Sequence, residues 1–152
     1  MKIQNTICRQ VILTDLNALD PITVFLEDLS LFTGKGRITI TCFGKAWTAY
    51  WGAMGDDTSV AEFFCGCDEH YIAKNLSRID SNVYDLDTLQ EQAAEKGIDC
   101  YRDDPWNDYE FMDAMYGGDM YEWSDALPKK PNPEYRYLCR IIKAVQEGLK
   151  DG

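Results

Sequence analysis

The sequence predicts an α+β fold: an antiparallel β-meander of three or four strands over residues 1–55, then about five helices over 58–150 packed on one face of that sheet. Three observations predict it. Apolar residues recur every second position up to Trp51 and every third or fourth after Gly55. The connections between the early runs are too short for anything but antiparallel neighbours. Capping signals and glycine stops divide the remainder into helical lengths. A chain of 152 residues fits one domain with a sizeable core.

Taken in order, Ile3 to Leu13 carries β-branched residues and predicts a first strand. After the Asp20-Pro21 turn, Ile22, Val24 and Leu26 alternate with Thr23, Phe25 and Glu27, a second strand. Ser30 to Gly36 is a connection of hairpin length. Ile38, Ile40 and Cys42 define a third strand, and beyond Gly44-Lys45 the residues Trp47, Ala49 and Trp51 fall on one face of a fourth. Two tryptophans on one face are a large apolar load that another element must cover.

Ser59-Val60-Ala61-Glu62 predicts a capping box and a helix whose buried side holds Phe63 and Phe64. Asp68 predicts a cap for a second helix carrying Ile72, Leu76 and Ile79. Asp87 to Gln90 repeats the capping pattern, with a stop at Gly97. Asp104-Pro105 reads as N-cap and N1 of a helix towards Gly117-Gly118, and Pro128 to Pro133 as a break. The last helix opens at Asn132-Pro133. Tyr135, Leu138, Ile142, Val145 and Leu149 make its apolar stripe, and Arg136, Arg140, Lys143 and Lys150 lie on another side.

Fifteen basic residues against twenty-six acidic ones leave a net charge of −11. Such a balance argues against direct binding of nucleic acid or of an anionic membrane and favours a basic partner. The N-terminus lacks the apolar core of a signal peptide, no apolar run is long enough to span a bilayer, and the six cysteines show no CxxC pair, so a cytoplasmic protein with reduced thiols is expected.

The acidity is concentrated. Residues 98–126 hold nine acids against Arg102 alone, together with seven aromatic residues. A merely solvating acidic tract is poor in aromatics. Carboxylates beside aromatic anchors suit a surface that docks on a basic groove. The expected partner-binding residues are Asp103, Asp104, Trp106, Asp108, Glu110, Asp113, Asp119, Glu122, Trp123 and Asp125. The competing reading makes the rings core and the acids a solvated rim.

Catalytic motifs are absent: no GxGxxG, Walker loop, GxSxG or HExxH occurs. His70, the single histidine, stands near Cys65 and Cys67, which suggests a small metal- or thiol-dependent enzyme as the alternative. On a continuous helix Cys65 and Cys67 would point about 200° apart, however, and CxxC spacing is missing. The expectation is therefore no enzyme, no cofactor and no metal site. A homodimer through the Trp47–Trp51 face is a further alternative.

The stretch RITITCFGKAWTAYWGAMG (37–55), continued by VAEFFCGCDEHYIAKNLS (60–77), resembles a family of small proteins encoded by temperate phages and prophages of enteric bacteria, with the likeness extending over about residues 20–84. The resemblance implies a cytoplasmic accessory protein of an infected or lysogenic cell and carries over no catalytic residue. It further implies a host protein as partner, with a basic nucleic-acid-binding defence complex, of the CRISPR or restriction kind, as the one an acidic surface could occupy by standing in for phosphates.

Overall fold

The computed structural model describes residues 1–152, and the chain divides into two compact units, residues 1–79 with 134–152, and residues 80–133. The fold is α+β, as predicted. In the first unit, strands β1 (Arg9–Leu13), β2 (Ile22–Ser30), β3 (Lys35–Cys42) and β4 (Lys45–Trp51) form one antiparallel sheet in sequential order. The alternation read from the sequence sets its two faces. Val24 lies opposite Ile40, and Leu26 opposite Ile38, which in turn lies opposite Ala49, all on the buried face. The other face is polar: Arg37 donates to both carboxylate oxygens of Glu27 at 2.7 and 2.9 Å, and the Thr39 and Thr48 hydroxyls meet at 2.8 Å.

Helices α1 (Val60–Gly66), α2 (Glu69–Leu76) and α6 (Pro133–Asp151) cover the buried face. The Ser59–Glu62 capping box and the Asp68 cap form as predicted. Trp51 is core, its ring 5.3 Å from that of Phe63, and Trp47 packs partly buried against the same cluster, so this face is filled from within the unit. On α6, Tyr135, Leu138, Ile141, Ile142 and Val145 turn inward. Gln146 of the same helix donates to the carbonyls of Phe64 and Cys67, both at 2.9 Å, and so supplies the partners that the end of α1 lacks within its own helix.

The second unit holds the ribbon of β5 (Asn82–Tyr84) and β6 (Lys129–Pro131), with α3 (Leu86–Glu95), α4 (Tyr109–Tyr116) and α5 (Trp123–Ala126) between them. Its core consists of Leu89, Ala93, Phe111, Met112, Met115, Trp123 and Leu127. Within this unit α3 to α5 bury their apolar sides on one another. The sheet face is already filled by α1, α2 and α6, and a second set of large apolar side chains condenses separately.

Smaller differences have local causes. Residues before Arg9 are not strand, so the first strand is shorter than the Ile3–Leu13 run suggested. Asp85, not Asp87, caps α3 by accepting from the Thr88 N–H. Asp104-Pro105 opens only a short 3-10 turn (Pro105–Asn107), and α4 starts afresh with Asp108 as its cap. The Pro128–Pro133 break contains β6. Gly97 and Gly117 follow α3 and α4 with φ of +71° and +58°, the stops expected.

Candidate partner-binding surface

The second unit carries fourteen acidic residues against four basic ones, a net −10, whereas the first carries twelve against eleven, a net −1. Nearly all of the protein's charge therefore belongs to a body of 54 residues. Its carboxylates are mostly unpaired. Asp103, Asp104, Glu110, Asp113, Asp119, Glu122 and Asp125 are all exposed, and none of them forms an ion pair. On the basic side of α6, Lys143 pairs with Glu69 at 3.0 Å within the first unit.

Two of these acids, Asp104 and Asp119, and the neighbouring Asp108 also have structural duties. Asp108 is half-buried, accepts from the Phe111 N–H at 3.2 Å to cap α4, and lies 3.8 Å from Arg102. Asp119 accepts from the Tyr121 N–H at 3.0 Å, and Asp104 accepts from the Asn107 side chain at 3.2 Å. Asp103, Glu110, Asp113, Glu122 and Asp125 are left with no side-chain partner, and their charges face water.

The aromatic part of the prediction changes in detail. Trp123 is a core residue, 8% exposed, with its indole N–H donated to the Gly117 carbonyl at 2.8 Å. It is therefore no surface anchor. The spacing of four between Trp123 and Leu127, both buried, was the available sign of an inward side. Trp106 is half-buried with its ring 5.0 Å from that of Tyr84. The rings that do face solvent are Tyr101, Tyr109 and Tyr121, with Met120 beside them in sequence, and of these only their presence in an aromatic-rich acidic tract could be foreseen.

The Tyr84–Trp106 pair is a wall shared by two grooves. One, of about 590 Å3, runs past Tyr109, Met112, Met120 and Leu127. The other, of about 620 Å3, is bordered by Asp80, Asn82 and Lys129, with the Lys129 ammonium 5.9 Å from the Tyr84 ring centre. The first groove is lined mainly by apolar and aromatic side chains, without a carboxylate, and the second carries one acid, Asp80, beside Lys129. Tyr101 is held in its neutral form by the adjacent Asp99, which raises its phenol above the ordinary value through a hydrogen bond and like charge.

The residues of the alternative reading do not assemble as suggested. The Cys65 thiol donates to the Gln146 carbonyl at 3.6 Å, and burial pushes both the Cys65 and Cys67 thiols up, away from the nucleophilic thiolate. His70 is grouped instead with Glu69 and Cys139. Its Nδ1 lies 2.7 Å from the Tyr135 hydroxyl, and the two rings stack 5.8 Å apart. No helix is long and apolar enough to cross a membrane.

No curated protein and no solved structure matches this chain. A family model, Phage_phiTE_072, described as a phage family, matches residues 1–151. The match takes in the acidic second unit as well as the strand–helix stretch that carried the resemblance. The chain belongs to this phage protein family.

Proposed function

We propose that this phage protein is a non-catalytic binder that occupies a basic protein or nucleoprotein complex of the host cell through the 80–133 unit. The observation that carries the reading is the net −10 of that unit, borne on unpaired carboxylates among exposed tyrosines. Its long-range field steers a basic partner towards it, and the rings supply contact area once the partner arrives. Asp103, Asp104, Glu110, Asp113, Asp119, Glu122 and Asp125 offer the charge; Trp106, Tyr109 and Tyr121 offer the anchors. A partner whose own ligand is nucleic acid fits best, because carboxylates can replace phosphates in its groove and so inhibit it, as an anti-restriction or anti-CRISPR protein would.

The test begins with capture of the partner from host lysate and continues with the two purified proteins. Asp103→Lys, Asp113→Lys and Asp125→Lys are combined because these side chains hold no cap or ion pair. Asp108 is left intact because it caps α4. The triple variant should keep its circular dichroism and lose about 100-fold or more in affinity, and duplex DNA should displace the wild-type protein. Unchanged affinity in the triple variant, or no displacement by DNA, overturns the reading.

A further inference from the structure

We propose that Glu69, His70 and Cys139 of the first unit form a site for a divalent transition-metal ion, with Zn2+ the ion best suited to the donors. The three residues each offer a ligand atom within 4.8 Å of the others, one carboxylate oxygen, one imidazole nitrogen and one thiol sulfur. This mixed set suits Zn2+ rather than Mg2+ or Ca2+, which take oxygen alone. Three protein ligands leave a fourth tetrahedral position for water.

Two neighbours orient the donors as metal sites require. The Tyr135 hydroxyl engages His70 Nδ1 at 2.7 Å, which leaves Nε2 to take the ion. Nε2 lies 3.7 Å from Glu69 Oε1, and two ligands about 2.1 Å from a tetrahedral ion stand roughly 3.4 Å apart. The other Glu69 oxygen, Oε2, is held by the Lys143 ammonium at 3.0 Å, so the carboxylate is anchored while Oε1 stays available. Cys139 completes the set from the facing helix, and its thiol proton passes to solvent when the sulfur binds the ion. Glu69 and His70 are on α2 and Cys139 is on α6, so the ion would tie these two helices together.

The experiment uses the full chain, stripped of metal by chelation and titrated with Zn2+ and with Co2+. One equivalent of Zn2+ should bind and raise the melting temperature by roughly 5 °C. Co2+ should give the intense near-ultraviolet absorption of a thiolate–cobalt bond. His70→Ala, whose side chain is largely exposed, should weaken binding on the order of 100-fold without unfolding the protein. Tyr135→Phe should weaken it by about tenfold, and Cys139→Ser should remove the cobalt–thiolate band. Cys65→Ser and Cys67→Ser should change neither. Absence of Zn2+ binding by the wild-type chain, or binding undiminished in His70→Ala, overturns the proposal.

Discussion

The two tryptophans that end in the cores, Trp51 and Trp123, differ in what their indole N–H meets. Trp123 donates to a backbone carbonyl, whereas the buried Trp51 Nε1 has no protein acceptor. Trp51→Phe should therefore cost less than about 1.5 kcal/mol, while Phe64→Ala should cost about 3–5 kcal/mol; urea unfolding of the two variants checks the contrast. Period two put Trp51 on one face with Trp47 and Ala49, but whether a helix of this chain or a second copy covers that face was not legible. The burial of Trp123 had only its spacing of four to Leu127 as a sign, and a helix of 4 residues is too short to show a stripe. On the polar face, the Arg37 guanidinium holds the Glu27 carboxyl below its ordinary value near 4.5. A depressed carboxyl contributes stability above the unfolded value and loses it as the pH falls through the lower, folded one. Thermal melts between neutral pH and about pH 3 should show a shallower acid limb for Glu27→Gln than for the wild type.

At the scale of elements, local signals located the helix starts where one side chain could serve only one helix. Ser59 and Asp68 are such cases. Asp85 and Asp87 compete for one start, and the ribbon decides between them: β5 ends at Tyr84, and the Asp85 N–H donates to the Pro128 carbonyl. That ribbon pairs three-residue strands separated by more than forty positions, which no local period reveals. Closure between elements is similarly non-local. Gln146→Ala removes both donors from the end of α1 and should cost about 1–3 kcal/mol in urea unfolding. The turn from β2 to β3 rests against the segment after β4. A Cβ on Gly34, at φ +60°, would stand 2.0 Å from the Gly55 carbonyl oxygen. Gly34→Ala should therefore lower the melting temperature far more than Gly44→Ala, which meets no neighbouring atom.

For the molecule as a whole, the decisive property is where the charge resides. Counting along the chain located an acidic tract at 98–126, but only the fold adds Asp80, Asp85, Asp87, Glu91 and Glu95 to the same body. The unit holds no histidine, so its charge stays constant across neutral pH. Complex formation with the captured partner should accordingly weaken steeply as salt rises from about 50 to 500 mM, with the association rate carrying most of the change. Stopped-flow mixing at several ionic strengths measures it.

The short ribbon has a genealogical consequence. The Asn132 N–H donates to the Ser81 carbonyl at 2.9 Å, and the Asn132 side chain to the Asp80 carbonyl at 2.9 Å. The polypeptide thus enters and leaves the acidic body at one doorway, the arrangement of an inserted module. A body joined to the rest of the chain at one place can change without the sheet being rebuilt, so sequence differences within the family are expected to concentrate in residues 80–133, which an alignment of family members would check.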